Sequence, residues 1–106
     1  MTEGIVVVMM TAPGEEEAAE IARKVVTEGL AACCNIVGGV RSIYTWKGEV
    51  ADEREALCIL KTKKSLFEEL KARIVELHGY DVPEVVAVDV VSGHADYLEW
   101  VEEVTR

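Results

Sequence analysis

Basic residues are scarce in this chain: eleven lysines and arginines stand against twenty aspartates and glutamates, a formal net charge of −9. That balance argues against general nucleic-acid binding, which needs a basic face to displace counterions from phosphate. The acids fit solvated helix faces, with loose attraction of cations as the functional counterpart. No run of eighteen apolar residues occurs, which excludes a transmembrane helix. A basic leader followed by an apolar segment and a small-residue cleavage site is lacking too, so the expected location is cytoplasmic. Cysteine is sparse and odd in number. Cys33, Cys34 and Cys58 form no disulfide framework, and neighbours on a strand point to opposite faces, so Cys33 and Cys34 are not expected to bridge. Reduced, largely buried thiols are the expectation. Walker loops, GxSxG elbows, HExxH and paired CxxC motifs are all missing, which points away from an enzyme. Repeats and linkers are absent as well, so residues 1–106 read as one domain.

What remains is half apolar and regularly patterned. Gly4 to Met10 is a continuous β-branched run, the mark of a buried strand. Thr11-Ala12-Pro13-Gly14 interrupts it, and Glu15-Glu16-Glu17 opens an amphipathic helix over 15–30. Ala31 to Trp46 reads as a long strand bent at Gly38-Gly39. Lys47-Gly48 is a hairpin turn into a second long strand over 49–63. Ser65 with Glu68 suggests a capping box, and Phe67, Leu70, Ile74 and Leu77 line the helix it starts, which Gly79 ends. Val85 to Val91 is a fourth strand, and 94–103 a short closing helix.

The order β-α-β-β-α-β plus a terminal helix is the ferredoxin-like pattern of an α+β sandwich, with two helices on one face of an antiparallel sheet. A sheet with one wet face alternates apolar and polar residues. The strands GIVVVMM, ALCIL and VVAVDVV are instead apolar on both faces. Two helices cover only one face, so the second predicts a cover, most simply another copy of the same sheet.

The chain resembles the CutA family of divalent-cation tolerance proteins. The match runs in order through Thr11-Ala12-Pro13, Leu30-Ala31-Ala32-Cys33-Cys34-Asn35-Ile36, Ser42-Ile43-Tyr44-Thr45-Trp46-Lys47-Gly48, Leu60-Lys61-Thr62, His78-Gly79-Tyr80-Asp81-Val82-Pro83-Glu84 and Tyr97-Leu98-Glu99-Trp100. The resemblance implies a ferredoxin-like subunit, a homotrimer with its sheets packed inside a shell of helices, and weak binding of copper and other divalent cations. Some members carry a cysteine before the Thr-x-Pro motif and two adjacent histidines before the Tyr, which resemble a copper site. Met10, Leu77 and His78 stand at those places here. His78 alone carries over as a nitrogen ligand, Met10 offers a thioether suited to Cu(I), and the usual proline after the histidine is Gly79.

Candidate sites follow from misplaced chemistry. His78 at a helix end fits a metal ligand or acid–base group, and equally a cation at the negative end of a helix. Glu55, Lys61 and Glu84 sit in or beside apolar strand segments, where an unpaired charge is costly. They read either as salt bridges or as the lining of an inter-subunit cleft for a small anion or metal. Asp89 poses the same question. Trp46, Tyr80 and Trp100 fit a ligand pocket or subunit contacts. Metal ions and further copies of the chain are thus the expected partners, with no organic cofactor. Three other readings stay open: a small-molecule-sensing trimer resembling the PII signalling proteins, using Glu55, Lys61, Tyr80 and Glu84; an acylphosphatase-like hydrolase using Arg41 and Asn35; and a purely structural scaffold whose only function is its assembly.

Overall fold

A computed structural model of the chain describes residues 4–106; the opening Met1-Thr2-Glu3 lies outside them. The elements run β1 (Ile5–Ala12), α1 (Glu15–Thr27), β2 (Cys33–Trp46), β3 (Glu49–Lys63), α2 (Phe67–Leu77), β4 (Val85–Asp89) and α3 (Ala95–Val104). The strands form one sheet in the order β2-β3-β1-β4, every pair antiparallel. This is the ferredoxin-like arrangement, with α3 added.

Strand alternation divides the sheet into two faces. Val8, Met10, Cys58 and Leu60 point to the helices and meet Val25, Leu70 and Ile74, all fully buried. In α1 the buried residues Ala18, Ile21, Ala22 and Val25 recur at three- and four-residue spacing, and three glutamates fill its first turn, where the helix dipole favours negative charge. The helix closes in a Schellman turn: Leu30 N–H donates to the Val25 carbonyl and Gly29 N–H to that of Val26, with Gly29 at φ 74°, a conformation that favours glycine.

The start of α2 differs from the expected capping box. Ser65 lies inside a short 3-10 turn (Lys64–Leu66), and the N-cap position is Leu66, without a side-chain cap. The turn connects β3 directly to α2, so the chain enters the helix already coiled and a serine cap has no extended position to occupy.

The β2–β3 hairpin turns at Lys47 (φ 50°) and Gly48 (φ 81°), the double positive φ of a type I′ turn. A bulge at Gly38-Gly39 shifts the register between Val37 and Val40. Beyond it the two strands run on as an arm, and the molecule is 47 Å long but only 25 by 22 Å across.

The second face carries Val7, Met9, Leu57, Ile59, Val86 and Val88, aligned by the register. The terminal helix covers one end of it: Val101 packs with Ile5 and Ala32, and Tyr97 Oη lies 3.6 Å from Cys33 Sγ. The rest stays open, with Val37 and Val86 each 46% exposed and Val88 50% exposed.

Candidate functional site

Where the open face meets the arm, a cavity of about 680 Å³ forms. Its floor comes from β1 and β3 through Thr11 and Glu55, one wall from the arm through Ser42, Tyr44 and Trp46, and the other from the 79–84 segment through Tyr80, Asp81 and Glu84. Alternation explains the arm's share: past the bulge Ser42, Tyr44 and Trp46 pair with Glu53, Ala51 and Glu49 and so share a face with Glu55.

Two short hydrogen-bond systems hold the 78–80 turn. Tyr80 Oη donates to Glu55 Oε2 at 2.7 Å, and Glu55 is only 7% exposed. The Tyr80 backbone N–H donates to His78 Nδ1 at 3.1 Å, while His78 Nε2 lies 2.7 Å from the Thr11 carbonyl. A backbone N–H can only donate and a carbonyl only accept, so the ring proton sits on Nε2. The rings of His78 and Tyr80 lie against each other tilted by 46°, with centroids 4.6 Å apart. Burial, then the bond to Glu55, pushes the Tyr80 phenol well above the usual tyrosine range. Burial, then the charges of Glu53 and Glu55, also raises that of Tyr44.

The structure therefore brings together Glu55, Tyr80, Glu84 and Trp46. It does not bring Lys61 to them. Lys61 lies six residues farther along β3, roughly 20 Å at the usual strand rise, and pairs with Asn35 Oδ1. His78 braces the cavity from behind, with both ring nitrogens engaged by the protein's own backbone. Met10 is fully buried on the helix side of the sheet and has no part in the cavity. Among the described residues, no group of three or more histidine, cysteine, aspartate or glutamate side chains is arranged to hold a metal. Asp89 pairs with Lys64 at 3.2 Å on the surface. The hydrolase pair is also divided. Asn35 lies before the bulge on the open face and Arg41 after it on the other, where Asp52 takes its guanidinium through bonds of 2.8 and 2.6 Å.

Sequence reasoning missed Thr11, Ser42, Tyr44 and Asp81. The signal for Ser42 and Tyr44 was present, since they alternate with Trp46 along one strand face.

The sequence profile described as "CutA1 divalent ion tolerance protein" matches residues 6–104. The chain belongs to this family. The divalent-cation tolerance protein CutA of Thermus thermophilus is 48% identical over 99 residues, covering 93% of this chain and 96% of that protein. Protein CutA, chloroplastic, of Arabidopsis thaliana is 45% identical over 95% of this chain, but the match spans only 56% of its length. Among solved structures, that of CutA1 from Oryza sativa superposes with a TM-score of 0.96 at 42% identity, covering 99% of this chain and 96% of that one. The CutA1 fold is thus shared along essentially the whole chain. No helix among the described residues is long and apolar enough to cross a membrane.

Proposed function

We propose that the chain is a non-catalytic divalent-cation tolerance protein that works as a homotrimer and binds divalent cations, copper among them, weakly in clefts between subunits. The observation that carries the assembly is the open apolar face, too rich in valine, isoleucine and methionine to remain in water. The cleft at its edge supplies the cation site. Glu55, Asp81 and Glu84 are oxygen donors, and among the described residues no lysine, arginine or histidine lines the cavity. That lining repels anions, and two exposed carboxylates beside the buried Glu55, without a preformed cage, fit weak binding. A metal at His78 would first have to break its bond to Tyr80 or to Thr11, which makes the carboxylates the better ligands.

A second reading, a small-molecule-sensing trimer, is favoured by the size of the cavity, which suits a small ligand. The sign of the lining then selects a cationic or neutral molecule rather than a nucleotide. Residence in the cytoplasm belongs to this proposal as well. One similar structure is described as a periplasmic divalent cation tolerance protein, from Archaeoglobus fulgidus, and the Arabidopsis relative as chloroplastic, so cell fractionation is the direct check.

Native mass spectrometry of the tag-free protein, alone and with Cu(II), Zn(II) and a metabolite mixture, tests the main reading. A trimer carrying metal adducts that Glu55→Gln and Glu84→Gln remove supports it. A monomer, or adducts indifferent to both substitutions, overturns it. A trimer that takes an organic ligand and no metal favours the sensing alternative.

A further inference from the structure

On three neighbouring strands, the positions that face the helices bring sulfur side by side. Met10 of β1 lies directly opposite Cys58 of β3. On the far side of β3, Cys58 is opposite Ile36 and Leu60 is opposite Cys34, so Cys34 and Cys58 are diagonal neighbours on that same face. Met10 and Cys58 are fully buried, and Cys34 packs half-buried against the same core. Because β2 is an edge strand, the row runs from the sheet edge inward: Cys34, Cys58, Met10.

The diagonal geometry limits what this pair can do. Diagonal residues on antiparallel strands have their Cα atoms about 7–8 Å apart, whereas disulfides span about 4.4–6.8 Å. An S–S bond of about 2.05 Å would pull the strands out of register. An ion between the two sulfurs, at roughly 2.3 Å from each as in metal–thiolate bonds, bridges about twice that distance. Two thiolates with a thioether beyond, and no oxygen or nitrogen donor, are a soft donor set that favours Cu(I) over harder divalent ions.

We infer that Cys34, Cys58 and Met10 form a buried site for a soft monovalent ion such as Cu(I), entered from the sheet edge at Cys34. Binding releases the protons of both thiols, and the ion arrives and stays as Cu(I), so no electron changes hands. The site lies on the opposite side of the sheet from the carboxylate cleft and stands independently of it.

The test is an anaerobic titration of the reduced, tag-free protein with Cu(I) against a chromogenic Cu(I) chelator. One Cu(I) per chain is expected, lost in Cys34→Ser, retained in Cys33→Ser and held less tightly in Met10→Leu. Cys34 is the variant of choice because, half-buried on an edge strand, it is replaced with little harm to the core; thermal melts confirm the fold. In the parent, Cu(I) should also protect Cys34 from alkylation while leaving Cys33 reactive. Failure to draw Cu(I) from the chelator overturns the inference, and so does equal binding by Cys34→Ser. Zn(II) binding lost in Glu55→Gln but unchanged in Cys34→Ser keeps the fate of the cleft separate from that of this site.

Discussion

Replacing Val88 by glutamate isolates the contribution of the open face to assembly. Val88 stands opposite Val7 on the edge strand β4, and in the single chain it is 50% exposed, with its neighbour Val86 46% exposed. A fully buried valine-sized side chain is worth about 1.5–3 kcal/mol. Roughly half of that is already realised inside the subunit, so about 0.7–1.5 kcal/mol per valine remains to be gained when a second sheet covers them. Over both valines and the three subunits of the proposed trimer the sum is about 5–9 kcal/mol. A glutamate at 88 removes half of this and adds a charge that loses water on assembly, a further penalty of several kcal/mol per ion. The isolated subunit loses almost nothing, because a half-exposed edge position keeps a carboxylate hydrated. The expected outcome is a folded monomer by sedimentation velocity, with unchanged circular dichroism and a melting temperature that no longer rises with protein concentration. A Val88→Glu protein that sediments as the trimer proposed for the parent would show that this face is not the interface, and the central argument for assembly would fall.

Further outcomes follow from single contacts. Tyr80→Phe leaves Glu55 without its hydrogen bond while 93% of it stays out of water, given its 7% exposure, and should cost about 1.5–3 kcal/mol in urea unfolding. The loss should shrink in a Glu55→Gln background, and additive single effects would refute the coupling. Because the Tyr80 phenol titrates above its unfolded value of about 10, its contribution to stability is complete below about pH 10 and is lost as pH rises through the folded value. Difference absorbance between parent and Tyr80→Phe should therefore show a phenolate appearing late, and one appearing near pH 10 would contradict the burial argument. Gly29→Ala places a side chain at φ 74° and 3.3 Å from Arg106 Cγ. A loss of about 1–2 kcal/mol is expected from the left-handed backbone, and no loss in thermal unfolding would mean the Schellman turn relaxes freely.

Much of this structure was legible because strand and helix periods are local. Alternation and the 3.6-residue repeat need no knowledge of neighbours, and they located the four strands and three α-helices of the described residues to within a few positions. The doubly apolar strands likewise announced an open face, since a residue's polarity records what it must touch. The part played by α3 was not legible. Val101 packing against Ile5, and Arg106 N–H donating to the Gly29 carbonyl at 3.0 Å, depend on where the chain returns after β4, which no local pattern states. The same limit divided the candidate site. Glu55 and Lys61 gave the same signal, a charge in an apolar strand, but that signal carries no position along the strand axis. His78 suffered from a different blindness, because the donor that occupies its Nδ1 is a backbone N–H, and every residue but proline has one.

The cysteines show how far one local irregularity reaches. Alternation alone requires that Cys33 and Cys34 face opposite ways, but it cannot say which of them faces the helices. Counting back from the tight turn, Trp46 pairs with Glu49 and Val40 with Glu55. Continued without interruption, that register would set Cys34 opposite Lys61 on the open face and turn Cys33 and Asn35 toward the core. The extra residue at Gly38-Gly39 shifts the count by one, so Cys34 falls opposite Leu60 and Asn35 opposite Ile59. A one-residue shift exchanges every side chain between the faces. The bulge thus keeps an asparagine out of an apolar core, where an unmatched amide would be costly, and by the same step selects Cys34 as the thiol beside Cys58. The glycines allow this cheaply: Gly39 adopts φ 69°, and a Cβ on Gly38 would meet the Glu15 carboxylate at 2.6 Å. The wall of the carboxylate cleft follows from the turn instead: the register counted from it already sets Ser42, Tyr44 and Trp46 on the face of Glu55, and the bulge is what joins that arm to a core segment with Cys34 turned inward.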